Sequence, residues 1–439
     1  MTAEPGSPST TSSDSPTPGR SDVIDDLLWR GLLQDSTDLD ELRQHLAAGP
    51  VTFYVGFDPT APSLQVGNLV QILTARRLQR AGHRPLLVVG GATGLIGDPK
   101  AEGERVLNDE SVVAGWVERI RRQLEPFFDF EGPVAARVVN NLDWTAPLSA
   151  IDFLRDIGKH FPVNQMINRE VVKARLESGI SFTELSYQIL QAHDFYQLNQ
   201  RYGCTLQHGG SDQWGNILSG VDFCRRRGVR GVHGFTTPLI TRADGTKFGK
   251  SAAGMSLWLD ASMTSPYAFY QFWVNAEDAD IVKYLKVFSF ADRERIEELA
   301  EATRTRPAER AAQRFLAEEL TTLVHGADEC AQVVAASQAL FGRGSLQDLA
   351  PATLHAALTE AGLTTVKGEL PPVATLLRDT GLAKSMNEAR RTIAEGGAYV
   401  NNERITDTAA TVDPKWLLHG RYLVLRRGRR AVAGVEHQN

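Results

Sequence analysis

The sequence predicts an α/β fold in which a doubly wound, mostly parallel sheet is followed by an all-helical domain and a small α+β domain. Between residues 22 and about 240, short apolar runs of the kind found in buried strands alternate with longer segments of helical periodicity. From residue 265 to about 341 the pattern is helical, with few strand candidates. This alternation favours a parallel sheet with helices on both faces, whose ligands bind outside the carboxyl ends of the strands.

The individual elements follow from the same patterns, taken in chain order. The apolar runs predict strands over residues 51–57, 85–89, 136–140 and 204–208. The helical patterns predict helices over residues 69–81, 111–125 and 182–197. Residues 342–370 have a less regular pattern, typical of a connector. Residues 371–435 are expected to contain two short helices, a Gly396-Gly397 turn and two strands.

Composition narrows the class of protein. A chain of 439 residues suggests two to three domains. Three cysteines at wide spacing, Cys204, Cys224 and Cys330, indicate neither a disulfide framework nor a zinc site. No apolar run approaches the roughly 18 residues that span a bilayer. Fifteen of the first twenty residues are Ser, Thr, Pro or Gly, so we expect a disordered tail and no secretory signal. These features favour a cytoplasmic enzyme.

Charge is distributed unevenly along the chain. The formal net charge is −6. Eleven Lys or Arg residues and seven Asp or Glu residues lie between Pro371 and the C-terminus, a net +4, which leaves −10 for the preceding residues. A basic terminal module on an acidic body is typical of a protein that holds an RNA partner at one end.

Two segments almost two hundred residues apart suggest a nucleotide site. Tyr54-Val-Gly-Phe-Asp-Pro-Thr60, continued by Gln65-Val-Gly-Asn68, predicts a buried strand, a turn and a helix that begins near Gly67. The free N–H groups of a helix N-terminus suit a phosphate. Gly245-Thr-Lys-Phe-Gly-Lys-Ser251 places two lysines three residues apart in a glycine-containing loop, where their ammonium groups can converge on one phosphate chain. We expect this loop to move during turnover.

These two segments resemble the HIGH and KMSKS signatures of class I aminoacyl-tRNA synthetases. From about residue 21 to about residue 436 the chain is similar to the bacterial tyrosyl-tRNA synthetases. Further matching blocks lie at residues 90–99, 140–144, 181–187, 191–194 and 207–216. The tail from residue 373 to 402 also resembles a small RNA-binding domain named after a ribosomal small-subunit protein.

One departure from the family pattern concerns its first signature. Where the family usually has His-x-Gly-His or His-x-Gly-Asn, this chain has Gln65 and Asn68. An amide can still donate hydrogen bonds but cannot become cationic. If the first position needs a charge, its loss costs about 1.5–3 kcal/mol. If the amide reaches the same oxygen, little is lost, and a third interpretation makes Gln65 a turn residue without a ligand.

The resemblance implies an activity and a domain plan. The expected enzyme is a tyrosine–tRNA ligase that forms tyrosyl-adenylate from L-tyrosine and ATP and then charges the 3′-terminal adenosine of its tRNA. We expect Mg²⁺ to accompany ATP, no protein-bound metal, and a homodimer. The expected parts are a disordered tail (1–21), a Rossmann-like catalytic domain with a connective insertion (22–245), a mobile loop with a helical domain (246–345), a linker (346–370) and a small RNA-binding domain (371–436).

The resemblance also implies roles for individual residues. The catalytic set is Lys247, Lys250, Ser251, Gln65 and Asn68. The tyrosine-binding set is Tyr54, Asp98, Tyr187, Gln191, Asp194 and Gln213. The ATP-binding set is Asp58, Gly67, Gly210, Asp212 and Lys250. The tRNA-binding set is Arg225, Arg226, Arg390, Arg391, Arg426 and Arg427.

Several of these roles have open alternatives. Tyr187, Gln191 and Asp194 are spaced i, i+4 and i+7, so they share one face of a helix independently of the resemblance. Asp58 either caps the turn before a proline or contacts substrate. Arg225 either contacts tRNA or marks a solvated helix end. Two rival functions remain: a specialised synthetase paralogue that confers inhibitor tolerance or uses a non-tRNA acceptor, and a catalytically weakened RNA-binding relative.

Overall fold

The computed structural model describes residue 19 and residues 22–99, 108–246, 248–250, 254–428 and 431–438. These residues form two compact units. The first consists of Met1–Leu259 and Glu277–Ala312, and the second of Asp260–Ala276 and Gln313–Asn439. The predicted tail over residues 1–21 lies almost wholly outside the described residues, and the predicted domain boundaries stay predictions.

A five-stranded parallel sheet forms the centre of the first unit. Its strands are β1 (Thr52–Phe57), β2 (Arg84–Val89), β3 (Arg137–Asn140), β4 (Cys204–Gly210) and β5 (His233–Thr237). Their order is β3-β2-β1-β4-β5, and each neighbouring pair is parallel. β2 is apolar and buried after Arg84 because helices cover both faces of the sheet. The predicted fold class is confirmed. We did not predict β5, whose five residues include a glycine and two threonines.

Nineteen α-helices are present in the described part of the chain. They are α1 (Val23–Arg30), α2 (Leu39–Ala48), α3 (Leu69–Arg80), α4 (Thr93–Ile96), α5 (Glu110–Leu124), α6 (Leu142–Thr145), α7 (Ala150–Asp152), α8 (Val163–Ile167), α9 (Glu170–Arg175), α10 (Phe182–Tyr202), α11 (Trp214–Arg226), α12 (Pro266–Val274), α13 (Asp278–Phe288), α14 (Arg293–Thr305), α15 (Ala311–His325), α16 (Ala327–Ala339), α17 (Pro351–Gly362), α18 (Val373–Asp379) and α19 (Met386–Ala394). None of these helices combines the length and apolar character needed to cross a membrane.

The second unit contains a smaller, mixed sheet. Its strands are β6 (Leu363–Lys367), β7 (Ala398–Val400), β8 (Glu403–Ile405), β9 (Tyr422–Arg427) and β10 (Ala431–Gln438), in the order β6-β10-β9-β7-β8. The sequence suggested an irregular connector over residues 342–370, but α17 and β6 lie there, and β6 pairs in parallel with β10. Two strands were expected after residue 371, whereas the structure has four.

Two buried arginines cap the carboxyl end of α13 inside the first unit. Arg30, from α1, donates to the backbone oxygens of Lys286 and Ser289 at 3.0 Å and to that of Ala291 at 2.9 Å. Arg77, from α3, also donates to the Ser289 oxygen. Guanidinium groups satisfy the carbonyls that a helix end leaves unpaired and complement its dipole. α13 is thereby fastened to the two helices α1 and α3.

Helix α10 begins with a capping box that a buried ion pair reinforces. The Ser181 hydroxyl accepts from the Glu184 N–H at 3.2 Å. The Glu184 carboxylate lies 3.2 Å from the Arg175 guanidinium, and both side chains are less than a tenth exposed. Arg175 also donates to the Gly179 carbonyl at 3.0 Å. The pair therefore fixes the start of the helix that carries much of the site described below.

Replacing Arg175 with methionine should destabilise the protein by about 3–5 kcal/mol, because Glu184 would remain buried without its partner. Urea denaturation measures this loss. The double variant Arg175→Met, Glu184→Leu should recover most of it. The matched control is Arg121→Met, which removes an exposed pair on α5 and should change the unfolding free energy little. An Arg175→Met variant as stable as the control would contradict the prediction.

Candidate active site

A cavity of about 660 Å³ opens at the carboxyl ends of β1 and β4. The strand order reverses between these two strands, and such a reversal leaves a crevice in which ligands of open α/β sheets bind. Eleven of the predicted site residues line this cavity: Tyr54, Asp58, Gly67, Asn68, Asp98, Tyr187, Gln191, Asp194, Gly210, Asp212 and Gln213.

Asp194 is a buried residue of the cavity lining and is held by two donors. Its carboxylate accepts from the indole N–H of Trp144 at 2.7 Å and from the amide of Asn141 at 3.0 Å. All three side chains are less than a tenth exposed. Burial raises the pKa of Asp194 to about 7. The two hydrogen bonds oppose this rise, and the charge of Asp58 adds to it. A carboxyl group with a pKa near neutrality is thus fixed at the base of the cavity.

Two buried polar atoms beside Asp194 have no hydrogen-bond partner among the described residues. They are the hydroxyl of Tyr54 and the amide oxygen of Gln191. Burial, and then the charge of Asp194, raises the pKa of Tyr54 well above 10, so its phenol stays protonated and can donate. Buried polar groups are normally paired. Their orphaned state indicates that a polar ligand completes this part of the cavity.

Asp58 is engaged on both carboxylate oxygens. It accepts from the Tyr187 hydroxyl at 2.6 Å and from the Thr93 hydroxyl at 2.7 Å. Burial, and then the charge of Asp58, raises the pKa of Tyr187 well above 10. The sequence left open whether Asp58 is a turn cap or a substrate contact, and these bonds make it an anchor for the ring of Tyr187.

Asp98 forms a second polar cluster at the other side of the cavity. It accepts from the side-chain amide of Gln213 at 2.9 Å and from that of Asn216 at 3.3 Å. Burial raises the pKa of Asp98, opposed by these bonds and by the charge of Arg169. A buried, amide-supported carboxylate of this kind suits a ligand ammonium group.

Gly210 and Asp212 lie where β4 ends and the next helical turn begins. A Cβ atom at Gly210 would stand 2.5 Å from a carboxylate oxygen of Asp212, so the absence of a side chain lets the two approach. Gly210 is buried, whereas Asp212 is exposed. The backbone at this point is open to close contact with a ligand.

The two signature-like segments meet in the structure. Leu257 joins them, because its carbonyl accepts from the Val66 N–H at 3.0 Å and its N–H donates to the Gly249 carbonyl at 3.1 Å. Gly249 has φ +86°, and a Cβ there would stand 3.0 Å from a methyl group of Val66. A glycine is required at 249 by both conformation and space.

Gln65 and Asn68 are hydrogen-bonded to each other, but of the two only Asn68 lines the cavity. Gln65 is exposed and does not line the cavity, whereas Gly67 and Asn68 do. The Gln65 N–H donates to the side-chain oxygen of Asn68 at 2.8 Å, which closes the turn before α3. Lys250 is exposed and is not among the cavity-lining residues, and its carbonyl accepts from Arg242 at 2.6 Å. Lys247 and Ser251 lie outside the described residues.

The predicted tRNA-binding arginines differ in their surroundings. Arg225 and Arg226 are exposed at the end of α11, and Arg226 donates to the His160 carbonyl. Within the second unit, Arg390 and Arg391 are exposed on α19. Neighbouring groups hold the remaining two arginines. These are Arg426, whose guanidinium lies 4.3 Å from the ring centre of Tyr399, and Arg427, which donates to Glu388 at 2.9 Å and to the Leu382 carbonyl at 2.8 Å.

Sequence reasoning assigned no role to three residues that shape the site: Asn141, Trp144 and Thr93. The first two lie in the block 140–144, which marked the family but gave no hint of a contact with Asp194, some 50 positions away. His208 is buried, stacks on Phe235 at a distance of 5.2 Å between ring centres, and also lines the cavity. Burial lowers the pKa of His208 to about 3, so the ring is neutral.

Comparison with known proteins defines the family. Residues 46–342 match the model of the tRNA synthetases class I (W and Y), and residues 354–433 match the tyrosine–tRNA ligase SYY-like C-terminal domain. The chain therefore belongs to the class I tRNA synthetases of the W and Y family, and it is an enzyme of that class. The resemblance predicted from the sequence blocks is confirmed.

Individual relatives show which members of that class the chain is similar to. A tyrosine–tRNA ligase of Streptomyces griseus is 60% identical over 94% of this chain and 98% of its own length. One from Streptomyces avermitilis is 61% identical over 94% of this chain and 99% of its own. A solved structure of a C-terminally truncated mitochondrial tyrosyl-tRNA synthetase from Aspergillus nidulans is 31% identical, with a TM-score of 0.65, and covers 73% of this chain and 94% of that one.

Replacing Asp194 with asparagine should weaken the dependence of stability on pH. A carboxyl titrates near pH 4 in the unfolded chain, whereas burial raises the pKa of Asp194 to about 7 in the folded protein. The folded state therefore holds the proton more tightly, and this contribution to stability is complete below about pH 4 and lost as the pH rises through about 7. The full contribution is about 4 kcal/mol.

Urea denaturation at about pH 5 and about pH 8 tests this expectation. The unfolding free energy of the wild type should fall more between the two pH values than that of Asp194→Asn. Asp143→Asn, an exposed carboxyl on α6, is the control and should keep the wild-type difference. Equal differences in all three proteins would contradict the assignment.

Proposed function

We propose that the chain is a tyrosine–tRNA ligase that activates L-tyrosine with ATP, releases pyrophosphate and transfers tyrosine to the 3′-terminal adenosine of tRNA(Tyr). The observation that carries the proposal is the buried pair of Tyr54 and Asp194. The unpartnered hydroxyl of Tyr54 and the carboxyl of Asp194 supply a donor and an acceptor at the base of a cavity in a member of this family. Relatives that share about 60% of the sequence bear the same activity in their names.

A phenol fits this pair because its hydroxyl both donates and accepts. The Tyr54 hydroxyl would donate to the substrate phenol, and Asp194 would accept from it. Phenylalanine would leave both buried groups unpaired, so the cavity would reject it at a free-energy cost. Trp144 and Asn141 occupy the remaining lone pairs of Asp194 and hold it in position.

The amino-acid end of the substrate would lie towards the second polar cluster. Asp98, Tyr187 and Gln191 would surround the α-ammonium group, and Gln213 would orient the carboxylate. Asp98 is supported by two side-chain amides, and the amide oxygen of Gln191 is buried without a partner. A carboxylate and an amide oxygen are suitable acceptors for an ammonium group.

ATP would occupy the outer part of the cavity. The backbone at Gly67 and the amide of Asn68, at the approach to α3, would face the phosphates. Gly210 and Asp212 would approach the ribose, and Asp58 would act through Tyr187. Lys250, together with Lys247 and Ser251, would neutralise charge on the departing pyrophosphate. The triphosphate supplies oxygen ligands that Mg²⁺ prefers, so we infer that the ion arrives with ATP.

The chemistry needs positioning more than covalent catalysis. A carboxylate oxygen of tyrosine attacks the α-phosphorus of ATP, the bond to the bridging oxygen breaks, and pyrophosphate leaves with the electron pair. A ribose hydroxyl of the tRNA then attacks the carbonyl carbon, and AMP leaves. Fixed donors and cations at the phosphates lower the barrier without forming a bond to the protein.

Recognition of tRNA would involve both units. Arg225 and Arg226 are exposed on α11, and Arg390 and Arg391 are exposed on α19. Arg426 and Arg427 would act mainly by shaping the C-terminal module, because their neighbours already engage them. By family, we further infer a cytoplasmic homodimer, a C-terminal RNA-binding domain and the remaining domain boundaries given above.

Tyrosine-dependent exchange of labelled pyrophosphate into ATP tests the proposal. The wild type should exchange, and Lys250→Ala should lower the rate about ten- to a hundredfold because a cation at the leaving group is lost. Lys367→Ala, which removes an exposed lysine on β6, is the control and should match the wild type. Exchange without charging of added tRNA would favour the specialised paralogue. No exchange from a folded chain that binds tyrosine would overturn the proposal in favour of the RNA-binding relative.

Substitution of Gln65 by histidine should leave the exchange rate within about threefold of the wild type, because Gln65 closes the turn with Asn68 through its backbone N–H, which the substitution keeps. Asn68→Ala should lower the rate about tenfold, since Asn68 lines the cavity and closes the turn. A rise of tenfold or more in Gln65→His would show that the missing charge limits the wild-type enzyme.

A further inference from the structure

The ring of Phe248 is docked on helix α13. Phe248 is two residues from Lys250 and is only 7% exposed. Its ring centre lies 5.3 Å from that of Phe288, at an interplanar angle of 21°, and 5.2 Å from that of Tyr284, at 59°. Both partners are almost fully buried. A single aromatic side chain therefore anchors the segment that carries Lys250.

The same helix holds the chain at the entrance to this segment. The ammonium group of Lys283, one residue before Tyr284 on α13, donates to the Thr241 carbonyl at 3.1 Å. Arg242, the next residue along, donates to the Lys250 carbonyl at 2.6 Å and so ties the beginning of the segment to its end. Helix α13 thus contacts the chain at Thr241, just before the span closed by Arg242 and Lys250, and again at Phe248 within that span.

Helix α13, on which Phe248 packs, is bonded in turn to α3, the helix that follows the Gln65-Val-Gly-Asn68 segment. Arg77 of α3 donates to the Ser289 carbonyl at the end of α13, directly after Phe288. α3 begins at Leu69, next to Asn68. α13 is therefore fixed relative to the turn at Gly67 and Asn68 that lines the cavity.

We propose that Phe248 is a positioning residue for adenylate formation. Docking of its ring on Tyr284 and Phe288 fixes the backbone of residues 248–250 and thereby the reach of the Lys250 ammonium group towards the phosphates of ATP. This inference rests on the proposed function. Small displacements of a group that stabilises a transition state cost large factors in rate, so loss of the ring acts on the phosphate chemistry and leaves tyrosine binding unchanged.

A set of variants of the full chain tests the role. Phe248→Ala should lower the turnover of pyrophosphate exchange about ten- to a hundredfold, the factor expected from losing the burial of one phenylalanine. Phe248→Met, which keeps much of the apolar volume, should recover most of it. The KM for tyrosine should stay within about twofold of the wild type. Phe128→Ala is the matched control, because Phe128 is also 7% exposed and does not line the cavity.

Limited trypsin digestion gives a readout that does not depend on activity. Release of the docked ring should accelerate cleavage after Lys250 in Phe248→Ala at least about tenfold, and in Phe128→Ala it should not. If Phe248→Ala fails to fold, Tyr284→Leu removes the same docking contact from the other side and should reproduce the slower exchange and the faster cleavage.

The outcomes separate this inference from the proposed function. A wild type that exchanges, with Phe248→Ala or Tyr284→Leu no slower than Phe128→Ala, overturns the positioning role alone. A parallel rise in the KM for tyrosine would also overturn it, because it would indicate general damage to the cavity. A wild type without exchange overturns the proposed function, and unchanged cleavage after Lys250 in Phe248→Ala would then reject the docking role as well.

Discussion

The site depends on one buried carboxylate. A carboxyl group with almost no exposure must be surrounded by donors, and the donors of Asp194 come from the segment that follows β3, while Asp194 itself lies on α10. Tyr54 of β1 adds a hydroxyl with no partner among the described residues. One titratable group therefore joins helix α10 to the segment that follows β3, two parts of the chain that are distant in sequence. The ion pair of Arg175 and Glu184 fixes the start of α10 and so helps indirectly to position Asp194.

Local patterns in the sequence predicted the elements that local physics determines. The spacing of Tyr187, Gln191 and Asp194 predicted one helix face, and all three line the cavity. Strands β1 and β2 were predictable because burial on both faces makes their runs largely apolar. β6 was missed because its partner, β10, begins more than sixty residues later, and only that pairing makes its short polar run a strand.

Contacts between distant residues explain the remaining differences. Nothing near Asp194 in the sequence identifies Trp144 or Asn141 as its donors, since pairing across fifty positions is decided by tertiary packing. A basic cluster indicated RNA contact for Arg427, but Glu388 and the Leu382 carbonyl already engage that side chain. Gln65 occupies the position of the first histidine in the family signature but is a glutamine. The turn that it forms with Asn68 leaves it exposed to solvent.

The path of the chain has a consequence for biosynthesis. The first unit is interrupted, because the chain leaves it after Leu259, passes through α12 in the second unit and returns over Glu277–Ala312. A nascent chain that ends at residue 259 lacks α13 and the Ser289 carbonyl after it, to which the buried guanidinium groups of Arg30 and Arg77 both donate. The sheet-bearing unit can therefore be completed only after the ribosome has released residues beyond 291, and it cannot be isolated by a single cut of the polypeptide.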